Sequence, residues 1–321
     1  MKKVLVCGAG GFIGSHLVKY LKKKGYWVRG VDIKKPEYSK SVADEFLLLD
    51  LTDYKNCLKA TKDIEEVYQL AAQMGGMGFI SKEHIIAFKD SNLINTYMAE
   101  ACKVNKIKRL FFSSSACVYP TFLQDTLKKY VMKEEHVFPA FPNEAYGWEK
   151  LISELRYLAY DKEGYYKVRI ARFENCYGPE GTYKGGREKA PAALCRKVVE
   201  LKPVPELKPI PEIEVWGDGK QTRSFMYIDD CIEGIYKIMK SKYNNPFNLG
   251  SEEVVTINNL AKRIIKISVK KLRIKNIYGP QGVRSRYLDH QKAKFLLKWT
   301  AKTSLDEGLI KTYGWIEQQM I

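Results

Sequence analysis

The sequence predicts an α/β fold, with a doubly wound parallel sheet and a smaller α/β domain in its C-terminal half. Short apolar runs alternate with helical stretches through the first half of the 321 residues. That alternation is typical of βαβ units whose helices cover both faces of a parallel sheet. The first apolar run also leads straight into a glycine-rich loop. We expect residues 1–173, with about 222–250, to form the larger domain, and residues 174–221 and 251–321 the smaller one.

Composition excludes several classes of protein. The chain is 45% hydrophobic and has no apolar run long enough to cross a membrane. The N-terminal apolar run is too short for a signal peptide, so we expect no membrane association and a cytoplasmic location. Seven cysteines without a Cys-x-x-Cys pair, and four scattered histidines, favour neither a disulfide framework nor a metal site.

The formal net charge of +17 raises the question of a nucleic-acid partner. The excess consists mainly of lysines spread along the whole chain, in short runs such as Lys22–Lys24, with no long basic tail. This distribution favours a solvated lysine-rich surface, with part of the charge available to a cleft for phosphorylated small molecules. We therefore expect no nucleic-acid partner.

The glycine loop after the first strand, at about 4–7, predicts a dinucleotide site. Gly8 allows a tight turn, Gly11 lets the backbone approach a pyrophosphate, and Gly14 lets helix and strand pack closely. The loop also contains Phe12 and Ile13, and the helical pattern that follows it, through Lys24, directs its N-terminus at the negative charge. We expect the five loop residues to bind the cofactor.

Acidic residues follow the next two strands. The strand at about 27–31 ends in Asp32, which can bind the ribose hydroxyls of NAD and repel the extra phosphate of NADP. Two lysines shortly after Asp32 make that discrimination less strict. The strand at about 46–49 ends in Asp50, whose side chain could reach the adenine. The predicted cofactor is NAD.

The stretch Ser113–Pro120 follows an apolar run that reads as a buried strand. If the chain stays extended, Ser113, Ser115 and Cys117 share one side, at the strand end where open parallel sheets bind ligands. The alternative is that they are small residues packed under a helix.

Tyr146 and Lys150 lie four residues apart in a predicted helix at about 144–163, and so share one helical face. An ammonium beside a phenol favours the phenolate. Tyrosine starts near pKa 10, and a base near pH 7 needs a shift of about 3 units, or about 4 kcal/mol. A positively charged nicotinamide ring would help to supply it. The alternative is an ordinary surface Tyr–Lys pair.

Together with the glycine loop, these motifs resemble the extended short-chain dehydrogenase/reductases that act on nucleotide sugars. The resemblance extends through Arg172–Pro179, Arg223–Asp230 and Asn248–Ser251, and covers nearly the whole chain. It implies a Rossmann domain and a hydride-transfer triad of Ser115, Tyr146 and Lys150. It also implies a homodimer that pairs the helices at about 82–104 and 144–163.

Five further blocks resemble the subfamily of 3,5-epimerases that act on GDP-mannose: residues 72–80, 115–120, 184–193, 216–225 and 279–286. The resemblance implies inversion at C3 and C5, to GDP-L-galactose with GDP-L-gulose as a second product. Cys117 and Lys189 would be the acid/base pair. The implied substrate contacts are Gly75, Ser115, Asn175, Glu188, Lys189, Ala190, Lys197, Gln221, Arg223 and Arg286.

The residues themselves allow these roles. A cationic setting would lower the pKa of Cys117 and make it a base. Lys189 precedes a helix that we expect to begin at Pro191, and the positive helix end, with Arg187, would lower its pKa. Arg223 and Arg286 have the forked guanidinium that suits a diphosphate, although either could form a structural ion pair instead.

Several points stay open at this level. A nucleotide-sugar 4-epimerase or 4,6-dehydratase would use the same scaffold, and a non-catalytic NAD-binding protein is a further alternative. The proline-rich segment 202–211 reads as a surface insertion, or as a polyproline ligand for a partner. The stretch between 120 and 142 departs from the family pattern and matches it poorly. The adjacent Asp229 and Asp230 read as helix caps.

Overall fold

The computed structural model describes residues 1–126, 128–201 and 210–320. Its strands are β1 Lys3–Cys7, β2 Trp27–Asp32, β3 Glu45–Leu48, β4 Glu66–Gln69, β5 Arg109–Ser115, β6 Val131–Met132, β7 Lys167–Phe173, β8 Asn175–Tyr177, β9 Glu212–Trp216, β10 Thr222–Tyr227, β11 Phe247–Leu249, β12 Val254–Thr256, β13 Arg273–Ile277 and β14 Tyr287–Leu288. Its α-helices are α1 Phe12–Lys23, α2 Tyr54–Thr61, α3 Met77–Ile80, α4 His84–Val104, α5 Glu144–Lys162, α6 Ala190–Glu200, α7 Ile228–Lys240, α8 Ile257–Ser268, α9 Gln291–Leu297 and α10 Leu305–Met320.

The large sheet has the predicted doubly wound architecture. Within the described chain, seven parallel strands follow the order β11-β7-β5-β4-β1-β2-β3. Alternate side chains of β1 enter opposite cores: Val4 and Val6 pack with α1 and α7, whereas Leu5 and Cys7 pack with α2, α4 and α5. Helices therefore cover both faces, and the predicted fold class is confirmed.

A second sheet of three strands, in the order β12-β10-β8, forms part of a smaller layer beside the large sheet. The chain leaves the large sheet at Phe173 and, after the single residue Glu174, enters β8, which pairs with β10. In the other direction β10 pairs antiparallel with β12. We expect the strand at about 224–228 to belong to the larger domain, and its ladder partners are β8 and β12 rather than strands of the large sheet. The strand that returns to the large sheet is β11, beside β7. The domain boundaries themselves stay a prediction.

The predicted helix caps are also corrected. α7 begins at Ile228, and neither Asp229 nor Asp230 caps it with a side chain. The Asp230 carboxylate instead accepts the backbone N–H groups of Lys302 and Thr303, each at 3.0 Å. It therefore fixes the segment before α10 rather than its own helix.

The proline-rich segment is only partly described. Residues 202–209 lie outside the described residues, and β9 begins shortly after the segment.

In the described part of the chain, no helix combines the length and the apolar character that crossing a membrane requires. The cytoplasmic location stays a prediction.

Candidate active site

One large cavity opens at the carboxyl ends of the parallel strands, between the large sheet and the smaller layer. Its volume is about 820 Å³, within the range of pockets that bind cofactors and small ligands. Every residue that the sequence placed in a catalytic, cofactor or substrate site lines this cavity. The structure thus brings together residues that are up to 278 positions apart in the sequence, from Gly8 to Arg286.

The glycine loop forms a close-packed cradle at one end of the cavity. Gly8 has φ +78°, a conformation that favours glycine. A Cβ on Gly14 would lie 2.0 Å from the Gly8 carbonyl oxygen, and a Cβ on Gly10 would lie 2.0 Å from that of Lys34. α1 begins at Phe12 and its N-terminus adjoins the cavity. The loop therefore fits the pyrophosphate of a dinucleotide, and Phe12 and Ile13 line the same end.

The two acidic residues of this end are held differently. Asp32 accepts the N–H groups of Gly10 at 2.9 Å and Lys34 at 3.2 Å, which orients its carboxylate at the cavity wall. Burial raises the pKa of Asp32, although these hydrogen bonds oppose the shift. The exposed Asp50 accepts the backbone N–H and the hydroxyl of Thr52 at 2.8 and 2.7 Å. Both positions fit the adenosine half of NAD.

Ser115, Tyr146 and Lys150 meet in the middle of the cavity. Ser115 is the last residue of β5, and both Tyr146 and Lys150 project from the first turns of α5. The Lys150 ammonium lies 5.6 Å from the centre of the Tyr146 ring and 4.9 Å from that of Phe112. Both side chains are almost fully buried. This is the arrangement that the sequence predicts for acid–base chemistry on a hydroxyl group.

The predicted direction of the Tyr146 shift is wrong for the protein by itself. Burial and the neighbouring Cys117 raise the pKa of Tyr146, and the hydrogen bond to Ser115 offsets this only in part. Burial also lowers the pKa of Lys150. Desolvation outweighs the attraction between ammonium and phenolate, because both groups lie in a nearly dry site.

The backbone that places Cys117 at the cavity is a short turn and not the predicted extended strand. The extended strand stops at Ser115, whose hydroxyl accepts the backbone N–H of Cys117 at 3.2 Å and starts a short 3₁₀ turn. Strand alternation therefore does not place the thiol. Burial would raise the pKa of Cys117, but the guanidinium of Arg286, with Nη1 3.6 Å from Sγ, leads the groups that lower it overall. The predicted cationic setting exists.

Lys189 lies at the N-cap of α6, whose first residue is Ala190 and not the predicted Pro191. Burial is the main cause that lowers the pKa of Lys189, and the charge of Arg286 adds to it. The direction agrees with the prediction, but the proposed cause does not. The Arg187 guanidinium lies 4.1 Å from the centre of the Phe79 ring, and Arg187 is not among the main groups that shift the pKa of Lys189.

Arg223 and Arg286 face the substrate half of the cavity as two neighbouring cations. Arg223 donates to the carbonyls of Thr222 and Gln281 at 2.7 and 3.1 Å. Arg286 donates to Gln124 Oε1 at 2.8 Å. Burial and the charge of Arg286 lower the pKa of Arg223. Two like charges held by neutral partners are suited to an anion such as a diphosphate.

The other predicted substrate residues line the same half. Asn175 donates to the Ser224 carbonyl at 3.3 Å and Lys197 to the Glu214 carbonyl at 2.8 Å. Burial lowers the pKa of Lys197. Two polar atoms of this half have no protein partner in the described chain, Glu188 Oε2 and Gln221 Oε1.

A buried ion pair supports the strand ends behind the site. Arg172 on β7 donates to both carboxylate oxygens of Glu154 on α5, at 2.9 and 2.7 Å. Glu154 also accepts the hydroxyl of Ser114, and Arg172 reaches the hydroxyl of Tyr119 at 3.2 Å. Adjacent strands and α5 are thereby held in one register around Ser115.

Sequence reasoning missed residues that hold these groups in place. The fully buried Gln124 accepts Arg286 and donates to the Tyr119 and Pro120 carbonyls at 3.0 and 3.2 Å. It lies in the segment that matches poorly, and no local pattern singles it out. Gly76 lies in the 72–80 block, from which the sequence predicts only Gly75 as a site residue. In the described chain, no group of three or more His, Cys, Asp or Glu side chains could hold a metal ion.

A doubly wound sheet with a dinucleotide cradle and a Ser–Tyr–Lys set defines an enzyme that oxidises and reduces a hydroxyl-bearing substrate. Residues 4–250 match the NAD dependent epimerase/dehydratase family. The chain is 45% identical over 320 residues to GDP-mannose 3,5-epimerase of Arabidopsis thaliana, covering 99% of this chain and 83% of that protein. It is 43% identical over 321 residues to GDP-mannose 3,5-epimerase 1 of Oryza sativa subsp. indica, covering 99% and 82%.

Solved structures of nucleotide-sugar epimerases have the same fold as this chain. UDP-glucose 4-epimerase of Thermotoga maritima, solved with UDP-glucose, gives a TM-score of 0.86 at 26% identity over 99% of this chain and 100% of that one. UDP-glucuronic acid 4-epimerase from Bacillus cereus, in complex with UDP-glucuronic acid and NAD, gives 0.83 at 29% identity over 99% of each chain. This chain belongs to the NAD-dependent epimerase/dehydratase family and is an epimerase whose cofactor is NAD.

Proposed function

We propose that this enzyme inverts C3 and C5 of GDP-mannose, giving GDP-L-galactose and, as a second product, GDP-L-gulose. One observation carries the proposal: a thiol and a lysine with lowered pKa, Cys117 and Lys189, line the same cavity as Ser115, Tyr146 and Lys150. A 4-epimerase needs only the last three. The two plant relatives named above as GDP-mannose 3,5-epimerases give the substrate.

In this proposal Ser115 and Tyr146 bind the C4 hydroxyl of the sugar, and Tyr146 accepts its proton. The glycine loop and Asp32 would hold NAD, which would supply the hydride chemistry at C4 and a positive ring that favours a phenolate at the buried Tyr146. The protein's share is to hold C4 against Ser115 and to supply the proton acceptor. There is no net oxidation.

The C4 ketone makes the protons at C3 and C5 acidic, and two groups must then exchange them on opposite faces of the ring. Cys117 acts as the base, because Arg286 stabilises its thiolate. Lys189 acts as the acid, because burial brings its pKa closer to neutrality and lets the ammonium release a proton. Arg223 and Arg286 bind the diphosphate side of the substrate.

Incubation of the enzyme with GDP-mannose in deuterated water tests this function. We expect solvent deuterium at C3 and C5, detected by mass spectrometry and NMR. Cys117→Ser and Lys189→Ala should abolish the exchange, whereas Lys184→Ala, at an exposed position in the same loop, should retain it. A sugar that turns over without solvent deuterium at C3 or C5 would point to a 4-epimerase instead.

The homodimer belongs to the same proposal. α4 and α5 pack side by side and carry exposed apolar side chains, which are Ile85, Ile86, Trp148, Ile152 and Leu155. We expect these helices to pair with those of a second copy in a helical bundle. Sedimentation velocity should give a dimer for the wild type and a monomer for Leu155→Glu, with Val269→Glu, at another exposed apolar position, as the control. A Leu155→Glu dimer would contradict this interface.

A further inference from the structure

Two segments from opposite sides of the cavity meet beside Lys189. Residues 73–80 follow β4 of the large sheet, and residues 185–189 lead into α6. The Gly76 N–H donates to the Arg187 carbonyl at 2.9 Å. The Arg187 guanidinium lies over the ring of Phe79 and donates to Gln73 Oε1 at 3.4 Å. The segment that ends in Lys189 is thereby attached to the large sheet.

Gly76 is the closest point of this contact. A Cβ there would lie 2.2 Å from the Glu188 carbonyl oxygen, 3.1 Å from its carbonyl carbon and 3.6 Å from the Lys189 Cα. The backbone of Gly76 has φ −73° and ψ −173°, an extended conformation that any residue adopts. The position therefore does not need glycine for its dihedral angles. It needs glycine for the close approach of two backbones.

The two glycines shortly before Lys189 lie in open space, where no packing holds them. Gly185 and Gly186 have φ +88° and +84°, and a Cβ at either would meet no atom within 4 Å. Beyond Lys189 the chain is fixed by α6, where the Ala193 N–H donates to the Lys189 carbonyl at 3.0 Å. The contact with Gly76 is what determines the approach of the lysine from the N-terminal side.

We propose that Gly76 is a positioning residue for Lys189, which sets the distance of the lysine from the sugar by packing directly on the Glu188 backbone. The inference rests on the proposed function, in which Lys189 is the acid that returns a proton to the sugar. It assigns a role to a backbone contact and not to a side chain that touches the substrate.

The variant Gly76→Ala tests this role, because its added methyl group must displace the Glu188 backbone. We expect kcat for deuterium exchange at C3 and C5 to fall by about a hundredfold, as for a misplacement of about 1 Å, while KM for GDP-mannose changes far less. The alkaline limb of the pH profile should also shift, because burial sets the pKa of Lys189. Gly314→Ala is the control, since a Cβ there would meet no atom within 4 Å and the residue lies in α10, away from this contact.

The outcomes separate the two proposals. Absence of exchange in the wild type would refute the proposed function itself. Normal exchange in the wild type and an unchanged kcat in Gly76→Ala would overturn the positioning role, as would a change confined to KM. If Gly76→Ala does not fold, Arg187→Gln loosens the same contact from an exposed position. That variant should lower kcat without an equal rise in KM, and an unchanged kcat would overturn the inference.

Discussion

The cofactor end and the substrate end of the cavity are built in different ways. At the cofactor end, the glycine loop and Asp32 come from one continuous βαβ unit, residues 3–32, and Asp50 follows the next strand. At the substrate end, the groups come from six separate parts of the chain. These are residues 73–80, 115–117, 175, 186–197, 214–223 and 280–286.

This difference determines how a substitution should affect each end of the cavity. The cofactor cradle depends on backbone shape, with carbonyls 2.0 Å from where a Cβ would stand, so that one methyl group disturbs all of it. The substrate end depends on charges held near each other by long-range contacts, such as Arg286 beside Cys117. There we expect graded changes in pKa and rate rather than loss of the site.

The largest effect should come from Gly14→Ala at the cofactor end. The new Cβ would lie 2.0 Å from the oxygen and 2.7 Å from the carbon of the Gly8 carbonyl, and neither backbone atom can move freely. Overpacking of this kind costs about 1–3 kcal/mol. Since each 1.4 kcal/mol is tenfold in affinity, we expect a loss of NAD affinity of about tenfold or more. Titration calorimetry with NAD and thermal unfolding measure both quantities.

Gly314→Ala is the matched control for that variant. Gly314 lies inside α10, and a Cβ there would meet no atom within 4 Å. Alanine is the better helix former by about 1 kcal/mol, so this variant should be slightly more stable and bind NAD normally. Equal NAD binding by Gly14→Ala and Gly314→Ala would mean that the cradle is not as rigid as its geometry indicates.

The same difference explains what the sequence could predict. The strand–loop–helix unit around Gly8 was predicted because its signal lies in adjacent positions, although α1 begins at Phe12 and not after Gly14. The long helix α4 and the Tyr146–Lys150 pair on α5 were predicted for the same reason. All the predicted site residues line one cavity, and the resemblance to a family carried most of those on the substrate side.

What the sequence missed depends on distance in space. The position of Cys117 follows from a hydrogen bond to Ser115 that ends the strand, not from alternation. The cation near Lys189 is Arg286, 97 positions away, and not its neighbour Arg187. Desolvation of Tyr146 likewise depends on the whole fold. No local pattern contains these facts.

Arg286→Gln should give the second largest effect, at the substrate end. Removal of the guanidinium 3.6 Å from Cys117 should raise the pKa of the thiol, since an adjacent opposite charge changes a pKa by about 1–3 units. The acidic limb of the pH profile for exchange at C3 and C5 should move to higher pH by about one unit or more. Exchange measured across pH, with kcat and KM separated, gives the result.

Arg284→Gln is the control two residues away. Arg284 pairs with Asp218 at 2.9 Å rather than with Cys117, so its removal should leave the acidic limb unchanged. If Arg286→Gln raises KM but leaves the pH profile as in the wild type, the residue binds diphosphate only, as the sequence suggests. A shifted limb shows that it also stabilises the thiolate.

The smallest expected effect is on the free energy of unfolding, whose pH dependence should be opposite for two histidines. His290 Nε2 lies 3.4 Å from Oε2 of Glu174, a residue that lines the cavity. Burial by itself would lower the pKa of His290, but Glu174, with smaller contributions from Glu252 and Glu134, raises it overall. Its stabilisation is therefore fully present below about pH 6.5, the unfolded value, and is lost as the pH rises through the higher folded pKa.

His16, on the helix α1 that follows the glycine loop, behaves in the opposite way. Burial lowers its pKa, and the ring nitrogen lies 3.1 Å from the Pro179 carbonyl. Its contribution is fully present above about pH 6.5 and falls as the pH drops toward the lower folded pKa. Urea unfolding of His16→Gln and His290→Gln from about pH 5 to about pH 8 compares the two.

Relative to the wild type, His290→Gln should lose about 1 kcal/mol at the acidic end, and the loss should shrink as the pH rises. His16→Gln should instead show its loss at neutral pH and recover it toward acid, because the variant no longer has an imidazole that must stay neutral when folded. Parallel curves for the two variants would mean that Glu174 does not hold a charged His290. The junction between the two sheets, where Glu174 lies, would then depend on packing and not on this ion pair.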